Sequence, residues 1–208
     1  EGIIKMYKRN TKAIIEICEQ RQSVLPVALF VLTTIQAGLS TCKNQIKDCN
    51  LEGSNSRFLW GKKAEGLEFV KKHDAFLFGK VQHIKETLGT DSVEACTKAI
   101  ELFLPVPNLG MVKSAFVAQC LGFNVACIDS HNLKRLGMSE SQVKLGKVKP
   151  DTRRKKIEAY VAMTQEQGSE YWWDSWCDYV AGNQANRSLD NGDIVSRYHV
   201  ECVDLVSI

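Results

Sequence analysis

No apolar run in this chain reaches the roughly 20 residues that a membrane-crossing helix needs. The longest candidate, Val24 to Ile35, is short and carries Pro26, Thr33 and Thr34, so it reads as a buried helix. The first residues lack the apolar stretch of a secretory signal. No two cysteines stand in a C-x2-C spacing, which argues against a zinc ribbon or knuckle and leaves no metal expected. The eight cysteines, at 18, 42, 49, 96, 120, 127, 177 and 202, are scattered through apolar helical patterns and are expected to be reduced core thiols. There is no internal repeat, no low-complexity tract and no convincing set of alternating strands, so the expected fold class is all-α.

What is present fits a globular protein with a sizeable core. A chain of 208 residues with 44% hydrophobic and 25% charged residues holds one large domain or two small intertwined ones. The net charge of +3 conceals an uneven distribution. From Ile157 onward nine acids face two bases, a balance of −7, which leaves +10 on residues 1–156. The densest run, Lys144 to Lys156, has seven bases and one acid. Such a body suits an anionic partner, for which DNA is the simplest candidate, or it is a solvated lysine-rich surface.

Helices are expected at Thr11–Gln22, Pro26–Ala37, Lys62–Lys72, Ala75–Leu88 and Ser92–Phe103, with a polar loop at Asp48–Arg57. Thr90-Asp91-Ser92 is an N-cap cluster. Two of the chain's four prolines fall in Leu104-Pro105-Val106-Pro107-Asn108-Leu109-Gly110, which cannot continue a helix. A helical pattern resumes over Met111–Leu121 and breaks at Gly122-Phe123-Asn124. The short apolar run Val125-Ala126-Cys127-Ile128 leads into Asp129, where a further helix begins. Helices at Thr152–Glu166 and Glu170–Ala181 precede an irregular loop at Gly182–Asp193. Trp172, Trp176 and Tyr179 lie at i, i+4 and i+7 and are expected to pack one helix face; stacking on a base is the other reading for this aromatic run, and Trp60 is a weaker pocket candidate.

Three stretches carry a resemblance. Leu104-Pro105 with Leu109-Gly110-Met111-Val112-Lys113-Ser114-Ala115 resembles the hairpin and second helix of the helix–hairpin–helix DNA glycosylases. Ile128-Asp129-Ser130-His131-Asn132-Leu133-Lys134-Arg135-Leu136 is similar to that superfamily's next signature, an apolar segment ending in an aspartate and followed by His or Asn and a base. Sixteen positions divide Lys113 from Asp129, close to the family pattern. Leu32-Thr33-Thr34-Ile35-Gln36-Ala37 resembles the early helix that ends in a glutamine near the DNA. The nearest branch is that of endonuclease III and the adenine glycosylases. The chain departs from it in three ways. Val106-Pro107-Asn108 replaces the hairpin's first glycine, Lys113 stands one residue further from the hairpin glycine than the lyase lysine, and no four-cysteine cluster follows Asp129. No iron–sulfur cluster or other cofactor is therefore expected.

The resemblance implies an all-α fold of two helical lobes with a cleft between them. Residues 1–208 form a single unit, with a six-helix and hairpin lobe over about 24–137 and a second lobe from 1–23 and 138–208. It implies that the backbone amides of Leu109, Gly110, Met111 and Val112 grip a DNA phosphate, and that Asp129 stabilises positive charge on the sugar as the glycosidic bond breaks. On local sequence alone Asp129 reads as a helix N-cap, and it can serve both ends. Lys113 is either a Schiff-base nucleophile, giving weak lyase activity, or a phosphate ligand. His131 contacts the backbone, orients Asp129 or sits on a helix surface; Asn132 and Arg135 position phosphates or Asp129; Gln36 fills the gap left by a flipped base or is an ordinary helix-end residue.

Three functions follow as expectations. The first is a DNA glycosylase that flips and excises a modified or mispaired pyrimidine, a divergent member of viral type. The second keeps that fold and transfers an amino group onto an activated 5-hydroxymethyl pyrimidine during phage thymine hypermodification. The third is a non-catalytic DNA-binding module that has no need of Asp129. Double-stranded DNA is the expected partner, with no membrane and a monomeric chain, in the cytoplasm of a bacterial or phage-infected cell or in a eukaryotic nucleus.

Overall fold

The structure, a computed structural model, describes residues 11–35, 45–46, 59 and 61–173. These residues are helical or irregular, and no strand occurs among them, so the fold class is all-α. No helix among them is long and apolar enough to cross a membrane. Gln36, Trp60, Trp176, Tyr179, the loops at 48–57 and 182–193, and cysteines 42, 49, 177 and 202 lie outside the described residues.

Helix α1 spans Thr11–Arg21 and α2 spans Leu25–Thr34. The second is the apolar run with Pro26 in its first turn, where a missing N–H costs nothing, and it is buried from Pro26 to Thr33. The N-cap Val24 offers no side-chain cap, and the Ser23 hydroxyl accepts from the Leu25 N–H at 3.0 Å. Asp74 adds a cap from another helix, its Oδ1 accepting from the Val24 N–H at 2.8 Å, a carboxylate at the positive end of α2. At the far end the Thr33 and Thr34 hydroxyls donate back to the Phe30 and Val31 carbonyls, and Ile35 turns to extended backbone.

The two helices expected at 62–72 and 75–88 are one, α3, over Lys62–Leu88. Neither His73 nor Asp74 breaks a helix, and Val70, Leu77, Val81 and Ile84 keep one face buried across the expected gap. Helix α4 spans Val93–Phe103, with the Ser92 hydroxyl accepting from the Ala95 N–H at 3.0 Å as its cap. Residues 104–110 turn the chain, and α5 runs over Met111–Cys120. Gly122, at φ +93°, ends that helix in a conformation few other residues adopt. Residues 123–129 are irregular or extended, and α6 follows over Ser130–Leu136. A 3-10 turn occupies Glu140–Gln142, and α7 spans Pro150–Gln167, two residues earlier than expected because Pro150 starts it. A helical segment resumes at 169–173, where Trp172 is buried as expected and Trp173 is buried beside it.

One contiguous apolar core of the described residues runs from Ile14 to Trp172, across the boundary expected near 137–138. Helix α4 sits against α3, α5 and α7; α2 packs on α1, α3 and α5. Cys18, Cys96 and Cys120, none of them in a disulfide, are inside this core and Cys127 is at its edge. Burial pushes the Cys18 thiol up to about 12 and the Cys96 thiol up to about 11, so both are protonated small hydrophobes at neutral pH.

The turn at 104–110 is held from behind by α3. A Cβ on Gly66 would stand 2.5 Å from the Pro107 carbonyl oxygen and 3.1 Å from Leu32 Cδ2, so only glycine allows this approach. Gly79, on the same helix, has nothing within 4 Å of the same added atom. Gly66→Ala is expected to destabilise the fold by about 1–3 kcal/mol through overpacking, whereas Gly79→Ala is expected to stabilise it by about 0.5–1 kcal/mol by removing backbone entropy. Denaturant midpoints of the two variants, measured side by side, check the pair; equal shifts would sink the close-packing account.

Candidate functional site

A cleft of about 650 Å³ opens where the end of α2, the start of α5, the Asp129 turn and residues 140–146 meet. That is within the range of ligand pockets, roughly 300–1,000 Å³. Of the residues expected at a site, Gly110, Met111, Val112, Lys113, Asp129 and His131 line it together. Gln36 is outside the described residues, but Thr34 and Ile35, immediately before it, are part of the wall.

The first wall is the entrance to α5. Val106 N–H is bonded to the Phe103 carbonyl and Leu109 N–H to the Val106 carbonyl, closing the turn. Asn108 sits at φ +70°, a left-handed conformation that Asn tolerates better than most residues. Leu109 is thus not the amide donor the sequence reading made it. Its N–H is spent within the turn and its side chain is buried. Gly110 caps α5 without a side chain, and helix geometry leaves the amides of Met111, Val112 and Lys113 with no intrahelical acceptor. Lys113 lines the cleft with its ammonium 5.4 Å from the Phe116 ring centre.

The second wall ends in Asp129. Its Oδ1 accepts from the N–H groups of both His131 and Asn132, at 3.1 Å each, capping α6. Among the described residues Oδ2 accepts no hydrogen bond, and the side chain lines the cleft. Asp129 is therefore a cap with a free oxygen. One half of the carboxylate fixes its orientation while the other remains open to a ligand.

The segment leading to Asp129 is irregular and, among the described residues, has no sheet to join. Buried peptide groups need partners, and side chains from neighbouring elements supply them. Cys127 N–H donates to Gln119 Oε1 at 3.3 Å, and Ile128 N–H donates to the Tyr160 hydroxyl at 2.9 Å. That hydroxyl donates in turn to the Ala126 carbonyl at 2.7 Å. Asn132 Nδ2 donates to the carbonyls of Cys127, at 3.2 Å, and Trp172, at 3.3 Å. Asn132, expected to face DNA or position Asp129, is 1% exposed and can do only the second. The Cys127 thiol is pushed up to about 12, chiefly by burial, with the Lys113 charge lowering it and the Asp129 charge raising it. It is no nucleophile at neutral pH.

Residues 139–146 form a third wall that the sequence reading missed. The Ser139 hydroxyl accepts from Ser141 N–H, while Gln142 Oε1 accepts from Ser139 N–H at 3.0 Å, a reciprocal cap that orders the turn. Val143 and Leu145 give this wall apolar surface, and Glu140 and Lys144, which pair with each other, give it charge. The capping pattern was readable; its placement opposite Asp129 was not. The basic run beyond is less uniform than its composition implies. Arg154 is engaged by Glu158 at 3.1 Å and Glu101 at 3.4 Å, whereas Lys147, Lys149, Arg153, Lys155 and Lys156 are exposed. Arg135 is exposed on α6 and is not part of the cleft wall.

Removing the cap should be measurable apart from any activity. Asp129→Ala is expected to cost about 1 kcal/mol in an equilibrium denaturation, and Asp129→Asn only a few tenths, because Asn caps as well as Asp. An alanine variant as stable as wild type would show that the cap holds nothing. Against known protein families, curated proteins and solved structures the chain finds no match.

Proposed function

We propose that the chain is a DNA glycosylase that excises a modified or mispaired pyrimidine, with Asp129 as its catalytic carboxylate and a two-lobed helix–hairpin–helix fold. One observation carries the reading: Asp129, with one oxygen held and one free, shares a cleft with the open N-terminus of α5 and with Lys113. An open helix N-terminus attracts a phosphate, since unpaired amides and the helix dipole act together. Gly110, Met111 and Val112 supply that contact, and Lys113 adds a cation beside it. A duplex held there by its backbone offers the sugar of an extruded nucleotide to the cleft.

Cleavage of the glycosidic bond then builds positive charge on the sugar. The free Asp129 oxygen stabilises that charge and can take a proton from the attacking water. His131 stands on the same wall, at the mouth. The apolar side chains of Met111, Val143 and Leu145 give the base a surface on which to lie. The exposed bases of 147–156 extend the phosphate contacts beyond the cleft. Double-stranded DNA is the partner, and a single copy of the chain suffices.

The experiment is mass spectrometry of duplexes carrying uracil, thymine mispairs, 5-hydroxymethyluracil or oxidised bases, incubated with wild type and Asp129→Asn. Wild type is expected to release one of these bases. Asp129→Asn should lower the rate at least about 10²-fold, the scale of a lost general base, with duplex affinity within about threefold. Release unchanged by Asp129→Asn, or no release from any duplex, would sink this reading for the bases tested. A heavier base in place of a free one would mean that the site modifies rather than excises.

A further inference from the structure

We infer that Tyr160 is a positioning residue of this site: its hydroxyl, bonded on both sides of Cys127, sets the direction in which Asp129 presents its free oxygen. The inference rests on the glycosylase reading for what Asp129 does, and on geometry alone for how it is held.

Tyr160 lies on α7, 31 residues beyond Asp129 in sequence, and is 1% exposed. A phenylalanine would fill the same space, so packing does not account for the oxygen. A buried hydroxyl is costly unless bonded, and this one is bonded twice, donating to the Ala126 carbonyl at 2.7 Å and accepting from the Ile128 N–H at 2.9 Å. The first group belongs to the peptide before Cys127 and the second to the peptide after it. One oxygen therefore fixes two successive peptide planes, and the next residue is Asp129. From the other side Asn132 grips the Cys127 carbonyl with its side chain and Asp129 Oδ1 with its N–H. Asp129 is thus set between two clamps. Without the hydroxyl, the Ala126 carbonyl and the Ile128 N–H would be buried with no other partner among the described residues, and the peptides would rotate to find one.

Tyr160→Phe, made in the full chain, separates this from a purely structural role. Amide hydrogen exchange is followed at His131 and Asn132, with Ala99 and Ile100 of α4 as references. Single-turnover base release and duplex affinity are measured on the substrate of the wild type. The expected result is exchange at His131 and Asn132 at least tenfold faster with the references unchanged, release at least tenfold slower, and affinity within twofold. Exchange at His131 and Asn132 equal to wild type would overturn the inference. So would a parallel rise at Ala99 and Ile100, which would make Tyr160 a core prop only, or release unaffected by Tyr160→Phe although Asp129→Asn abolishes it. A wild type that releases no base, with the exchange response intact, would overturn the excision reading and support the clamp.

Discussion

The site depends on an irregular segment that no ladder supports. Residues 125–128 run largely buried through the fold, where each buried peptide group must be satisfied or charged a desolvation cost of about 1–3 kcal/mol. A neighbouring strand would satisfy them by repetition. Here Gln119, Asn132 and Tyr160 do it individually, each from a different helix, and Gln165 closes the series by donating to the Asn124 carbonyl at 2.9 Å. Bonds of this kind are specific to position. A ladder tolerates a slip by two residues, whereas a set of unlike side chains accepts one register only. The end of the segment, Asp129, inherits that precision.

The parts of the fold that depend on local chemistry were readable from the sequence. Ser92 caps because its hydroxyl reaches a nearby amide, Pro105 and Pro107 stop α4, and Gly122 takes a left-handed angle. The parts that depend on a partner far along the chain were not. His73 and Asp74 look like a gap in a helical pattern, but Asp74 is occupied in capping α2, fifty residues away. Asn132 looks like a polar residue on a short exposed helix, and its inward direction follows from a carbonyl of Trp172 that no local pattern announces. Tyr160 falls on the buried stripe of α7 with Ile157, Val161 and Thr164, so its spacing says "core" and is silent about its oxygen. At the site, the α5 entrance and Asp129 were legible because helix ends have a grammar. The wall at 139–146 was not, because facing a cleft leaves no mark on a sequence.

Asp129 illustrates how a cap can fix the orientation of a carboxylate. Two backbone amides hold Oδ1, which leaves the carboxylate little rotational freedom and leaves Oδ2 directed elsewhere. Such a cap is worth about 1 kcal/mol to the helix, small against a fold stabilised by 5–15 kcal/mol, but it removes the side-chain entropy that a ligand would otherwise have to freeze. Capping and the proposed chemistry are therefore not rivals for this residue. The first is the means by which the second would obtain a fixed oxygen.

Constraint is unevenly spread around the cleft. The α5 entrance is set by Gly66 behind Pro107, by buried Val106 and Leu109, and by Asn108 at a left-handed angle of φ +70°, a cost that persists only where the surroundings enforce it. The Asp129 turn is set by side chains from several helices. Residues 139–146 are held by a reciprocal cap, the backbone bonds of one 3-10 turn, an exposed ion pair and the packing of Val143 and Leu145, and of them only Val143 is buried. An exposed ion pair contributes roughly 0–1 kcal/mol. Two walls are thus set mainly by buried groups, while the third touches the core only through Val143 and Leu145 and can change its exposed side chains at small cost to the fold. Under the glycosylase proposal, the rigid walls are the ones that meet phosphate and sugar, which are the same in every nucleotide, and the wall of exposed side chains is the one that meets the base, which differs.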